Sequence, residues 1–145
     1  MKHALIALSV LFGLDSAASA GPQLQSATRR ARLAFSGTEA IVALRDNPTS
    51  RALWASLPMT LTFSDYAGTE KIASLPRKLS TDGAPAGSDP SVGDFTYYAP
   101  WGNLAIFYKD FRYSSGLVLL GRVESGMEKL AALEGDATVT IQRIE

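Results

Sequence analysis

Cysteine is absent from all 145 residues, and the single histidine is His3. Without a thiol there is no disulfide and no cysteine nucleophile, whatever the redox compartment. A chain whose only imidazole lies at its extreme start has no Ser-His or Cys-His pair to build a nucleophilic site around. The usual zinc and transition-metal sites are excluded on the same ground. A hard cation held by carboxylates alone is compatible with the composition, but no calcium-loop spacing is visible. The expectation is therefore no metal and no cofactor. An excess of either charge is also missing: 14 Lys and Arg balance 14 Asp and Glu. That balance gives no electrostatic case for nucleic acid or for an anionic membrane surface.

Long apolar runs are scarce, and the one that stands out is at the start. Ala4 to Leu14 is apolar apart from Ser9 and Gly13, with Lys2 and His3 ahead of it and Ala18-Ser19-Ala20 behind. A membrane span needs about 20 apolar residues, so this run is too short to be an anchor. A positive head, an apolar stretch and a small-residue cleavage site make a secretory signal over residues 1–20, with Gly21 as the mature N-terminus. The expected location is periplasmic or secreted. No cysteine follows the run, so lipid attachment there is excluded. Removal of the signal takes away Lys2 and Asp15, one charge of each sign, together with the only histidine.

The remainder is long enough for one domain with a real core. Residues 21–30 are small and polar and read as a linker or arm, leaving a domain over 31–145. Arg32 to Phe35 and Ala40 to Leu44 form a hairpin pattern about Ser36-Gly37-Thr38. Asn47-Pro48 is a helix start, with Asn as cap and Pro in the first turn. That helix should run to Ser56 and bury Leu53, Trp54 and Leu57. Met59 to Phe63 alternates as a half-buried strand. Residues 65–93 contain seven Gly and Pro and read as a long irregular excursion of the kind that carries function. Phe95 to Ala99 and Leu104 to Tyr108 flank a turn at Pro100 to Asn103. Leu117 to Val123 is a further strand, Ser125 to Glu128 has capping-box spacing for a helix over 126–133, and Thr138 to Ile144 is the last strand. Many short strands with turns between them favour a closed barrel or a sandwich, with Leu33, Phe35, Leu61, Phe63, Ile106, Leu120, Val139 and Ile141 in the core.

Three stretches carry a resemblance. Asp65-Tyr66-Ala67-Gly68-Thr69-Glu70-Lys71, the run from Val92 to Asp110 and Gly116 to Leu130 resemble a family of small bacterial cyclophilin-like domains, and the likeness extends over about residues 31–145. More distantly, Leu120-Gly121-Arg122-Val123-Glu124-Ser125-Gly126-Met127 resembles the run into the last helix of the peptidyl-prolyl isomerase cyclophilins. The resemblance implies a mainly β fold: a closed, eight-stranded antiparallel barrel with two short helices, one at each end. The isomerases' Phe-His-Arg-x-x-Pro motif has no match here. With Pro76 aligned, Ala73 stands at the catalytic arginine's place in Glu70 to Lys78.

Rotating an X-Pro bond needs no nucleophile. It needs a groove for the prolyl ring and a donor that favours the twisted amide. Arg77 is the first substitute donor to consider and Lys71 the second, although Arg77 and Lys78 read first as a solvated basic turn. Eight of the twelve aromatics beyond residue 20 fall between Phe95 and Tyr113. Alternation puts Phe95 and Tyr97 on one face of their strand and Tyr98 on the other. Phe95, Leu104, Ile106 and Phe107 are expected in the core, and Tyr98, Trp101, Tyr113 and Tyr66 as exposed aromatics that face a ligand. The leading expectation is an exported barrel that binds a peptide or small molecule in an aromatic groove, with little or no isomerase activity. The alternatives are a divergent peptidyl-prolyl isomerase and a subunit that docks a protein partner.

Overall fold

The computed structural model describes residues 28–145, so the expected signal and most of the expected arm lie outside the described residues. In chain order the elements are β1 (Arg29–Phe35), β2 (Thr38–Leu44), α1 (Pro48–Ser56), β3 (Met59–Tyr66), β4 (Glu70–Ser74), β5 (Gly87–Ser88), β6 (Asp94–Tyr98), β7 (Asn103–Phe107), β8 (Ser114–Ser115), β9 (Leu117–Ser125), α2 (Met127–Ala131) and β10 (Ala137–Ile144). Eight strands close into a barrel in the order β1-β10-β3-β4-β7-β6-β9-β2, and β5 pairs with β8 in a separate two-stranded ribbon. Every pairing is antiparallel. Closure leaves the barrel no free edge strand.

Local chemistry sets most of these boundaries. The Asn47 side chain accepts from the backbone N–H of Ser50 at 2.8 Å, and Pro48 occupies the first turn of α1. Leu53 and Leu57 are buried, while Trp54 is half-buried with the Arg29 and Arg143 guanidinium groups 5.7 and 5.4 Å from its ring. All eight residues expected in the core are buried, Leu61 being the most accessible at 8%. Gly121 marks the tightest point of the wall. A Cβ there would lie 2.1 Å from the carbonyl oxygen of Ala43 on β2, so only glycine allows β9 to approach this closely.

Four features differ from the sequence reading. The first strand begins at Arg29, inside the expected arm, because Arg29 pairs with Leu44 and Arg30 with both Ala43 and Ile144. The expected irregular excursion begins with an ordered strand, β4, which pairs with β3 on one side and β7 on the other. Its alternation is obscured because the inward position is Lys71, a charged residue that is 4% exposed. Helix α2 is shorter than expected, at five residues, and has no capping box: Gly126 stands at the cap and no side chain bonds the first turn. Ser125 is instead the last residue of β9. Finally, Phe107 is buried but not in the barrel interior; it belongs to a small cluster outside the wall. Among the described residues, no helix is long and apolar enough to cross a membrane.

Candidate functional site

Strand β7 is buried on both faces. Leu104 and Ile106 point into the barrel with the main core. Asn103, Ala105 and Phe107 point outward, and Ala105 and Phe107 join Leu117 in a second cluster against which Ile72 and Tyr98 pack. This places an apolar floor on the outer surface of β4, β7, β6 and β9. The connection between β7 and β9 folds over one side of it. The N–H of Phe111 donates to the carbonyl of Pro90 at 3.1 Å, that of Gly116 to Ala86 at 2.7 Å, and the Asp110 carboxylate accepts from the N–H of Val92 at 2.9 Å. Gly87 is needed beneath it, since a Cβ there would lie 2.8 Å from the Tyr113 ring and 2.3 Å from the Ser114 carbonyl oxygen.

The result is a cleft of about 350 Å³ lined by Tyr66, Glu70, Tyr98, Trp101, Phe107, Phe111, Arg112, Tyr113, Ser114, Ser115 and Leu117. All four aromatics expected to face a ligand line it. Trp101 is its most exposed ring, at 57%, and two tyrosines meet it edge-to-face. Tyr66 and Tyr98 each have their ring centre 5.4 Å from that of Trp101, with interplanar angles of 86° and 73°. These spacings are those of favourable aromatic pairs and hold the corner in shape. Glu70 is half-buried at the cleft, and burial pushes its carboxyl up from the ordinary range.

Neither candidate donor lines this cleft. Lys71 turns to the barrel interior, where its amine donates to the Leu133 carbonyl at 2.6 Å and lies 3.1 Å from the Asp65 carboxylate. Arg77 borders a different, open depression with Ala52, Pro58, Met59 and Leu79, beside the end of α1. Ala73, at the aligned arginine position, is 2% exposed and contributes to the core. The guanidinium that does line the aromatic cleft is Arg112, which rests 4.8 Å from the Phe111 ring centre. Sequence reasoning missed Arg112 and Glu70. Glu70 was reachable in principle: the turn at Ala67-Gly68 pairs it directly with Tyr66. Arg112 carries no comparable signal, because it sits in a connection whose path is set by distant backbone bonds.

Beside the cleft, Asp65 accepts from the Tyr108 hydroxyl at 2.5 Å and from the N–H of Gly68 at 3.1 Å. The Tyr108 bond, with lesser help from Lys71 and Gly68, holds the Asp65 carboxyl below its usual value. Burial together with the bond to Asp65 and its charge pushes the Tyr108 phenol up to about 12. Among the described residues, no group of three or more Asp or Glu could hold a metal ion.

The eight-stranded antiparallel barrel and its outer cleft are the setting for the comparisons with known proteins. No curated protein matches the chain. Among solved structures, the chain is similar to a hypothetical protein from Archaeoglobus fulgidus, known from its solution structure. The TM-score is 0.65 at 22% identity, covering 81% of this chain and 95% of the archaeal one. A likeness at that identity speaks for the fold alone. A family model, that of the cyclophilin-like family, matches residues 33–142, which is nearly the whole barrel, and the chain therefore belongs to the cyclophilin-like family.

Proposed function

We propose that this protein is an exported cyclophilin-like barrel that binds a peptide or small ligand in the cleft of Tyr66, Tyr98, Trp101 and Tyr113, with little or no prolyl isomerase activity. One observation carries the reading. Four aromatics scattered between residues 66 and 113 meet in one cleft, and three of them keep 43–57% of their surface in water. Large rings held apart from the core, at a concave site with a few polar groups, are typical of ligand pockets. The low isomerase activity follows from the donor. Losing one preorganised donor costs about 10²–10³ in rate, and neither Arg77 nor Lys71 borders the cleft. An isomerase would have to rely on Arg112, on a connection rather than on a barrel strand.

Isomerisation of a short proline-containing peptide by the purified protein tests the enzymatic part. The expected rate is near background for the wild type, Arg77→Ala and Arg112→Ala. A rate like that of ordinary cyclophilins, abolished by Arg112→Ala, would establish the isomerase instead. Ligand binding is read by quenching of Trp101 against the Trp54 background. A screen of peptides and small molecules in which none acts through Trp101 would end the binding reading. N-terminal sequencing of the protein from its native host should begin at Gly21, and an intact Met1 in the soluble fraction would remove export.

A further inference from the structure

The cleft has two charges of opposite sign that do not neutralise each other. Glu70 and Arg112 both line it. The five ion pairs among the described residues are Arg30–Glu124, Arg32–Glu39, Arg51–Asp46, Lys71–Asp65 and Arg122–Asp94, and neither residue is in them. No side-chain hydrogen bond of the described residues satisfies the Glu70 carboxylate either. A half-buried carboxylate without a protein partner has lost part of its hydration and gains from a cation that arrives to pair with it. Next to it stand Tyr66 and Tyr98, each set steeply against the Trp101 ring, so that the three rings form a corner. Ring faces carry the negative end of the aromatic quadrupole, and walls of this kind beside a carboxylate attract a weakly hydrated cation such as a methylated ammonium. A simple cation would also meet Arg112, and a simple anion would meet Glu70. A molecule carrying both charges satisfies both residues. A cleft of about 350 Å³ is at the small end of ligand sites and fits a compact molecule rather than a folded partner.

We propose that the cleft of Tyr66, Glu70, Tyr98, Trp101 and Arg112 binds a small zwitterion that joins a methylated ammonium to a carboxylate, of the betaine class. This rests on the reading of the aromatic cleft as a ligand site and names its ligand. The ammonium lies among the rings with Glu70 as its counter-ion, and the carboxylate faces the Arg112 guanidinium. Specificity against ordinary amines follows from hydration. An ammonium with N–H groups needs an acceptor for each hydrogen, and Glu70 is the one carboxylate that lines the cleft, whereas methyl groups need none.

The test uses the purified full chain, Trp fluorescence and calorimetry. Three probes are compared: glycine betaine, its uncharged-head isostere 3,3-dimethylbutanoate, and choline, which lacks the carboxylate. Glycine betaine is expected to saturate below about 1 mM, the weak end of specific binding. The isostere should bind at least about tenfold more weakly, the scale of a desolvated cation–π contact. Trp101→Ala and Glu70→Gln should each weaken betaine about tenfold, with unchanged thermal unfolding midpoints or higher ones confirming that the variants are folded. Arg112→Gln should weaken betaine and leave choline unchanged or tighter. Absence of saturable betaine binding, equal affinity for the isostere, or an unaltered Glu70→Gln variant would each overturn the proposal. If a peptide or another small molecule binds through Trp101 while betaine does not, the cleft is a ligand site and the zwitterion assignment alone is wrong. If nothing binds through Trp101, both fail.

Discussion

The amine of Lys71 reaches from β4 to the backbone of Leu133, donating to its carbonyl oxygen at 2.6 Å. Leu133 lies in the connection between α2 and β10, so this bond ties that connection to β4. The same amine is 3.1 Å from Asp65 and 5.3 Å from the Tyr108 ring centre. A lysine that is 4% exposed and bonded in this way is a fastening of the fold. Lys71→Met, which keeps the length of the side chain, should cost about 1.5–3 kcal/mol, the worth of hydrogen bonds to a charged group. Urea denaturation measures it. A loss below about 0.5 kcal/mol, as for most surface changes, would mean that the bond contributes nothing.

Asp65 and Tyr108 set the pH range of this fastening. The Asp65 carboxyl is held low, first by the Tyr108 hydroxyl, so its contribution is present above its unfolded pKa and fades as pH falls through the lower folded value. The Tyr108 phenol is raised to about 12, so its contribution is complete below its unfolded value of about 10 and is lost as pH climbs through about 12. Stability from this pair should therefore be flat from about pH 4 to about pH 10. Tyr108→Phe should lower the plateau and remove the alkaline edge. Thermal unfolding followed across pH compares the two profiles, and an unchanged alkaline edge would exclude Tyr108 as its source.

Glu70 should behave in the opposite sense. Burial raises its carboxyl, so the folded state prefers the protonated form. The favourable contribution is present below the unfolded pKa and is lost as pH rises through the folded one. At pH 7 the ionised carboxylate is thus a burden on the fold. Glu70→Gln is expected to leave the unfolding midpoint at pH 7 unchanged or higher, with the difference vanishing at acid pH. A clear fall in the midpoint at pH 7 would show instead that the carboxylate supports the fold.

The barrel wall supplies two further tests. Ile106→Ala, in the core and fully buried, should cost about 2–5 kcal/mol. Gly121→Ala forces a methyl group against the Ala43 carbonyl, where the backbone of β2 has to move. The expected cost is about 1–3 kcal/mol, as for other overpacked positions. Both are read by chemical denaturation, with Trp101→Ala as the exposed comparison.

The sequence by itself determined the parts that local physics controls. Alternation at Leu33 and Phe35, at Leu61 and Phe63 and at Val139 and Ile141 assigned strands and their inward faces, because each strand must bury one face. Asn47-Pro48 started a helix because an amide cap and a fixed φ act within four residues. The alternation of Phe95, Tyr97 and Tyr98 separated core rings from an outward one. Tertiary structure decided the rest. Strand β4 became recognisable only because β3 and β7 pair with it on both sides and Leu133 gives its inward lysine an acceptor. The cleft required closure of the barrel, which sets Tyr66 against Trp101 across 35 residues of chain. Arg112 entered it, and Arg77 did not, through backbone bonds from Phe111 to Pro90 and from Gly116 to Ala86. Those bonds join segments more than 20 residues apart, and no periodicity in either segment encodes which partner it meets.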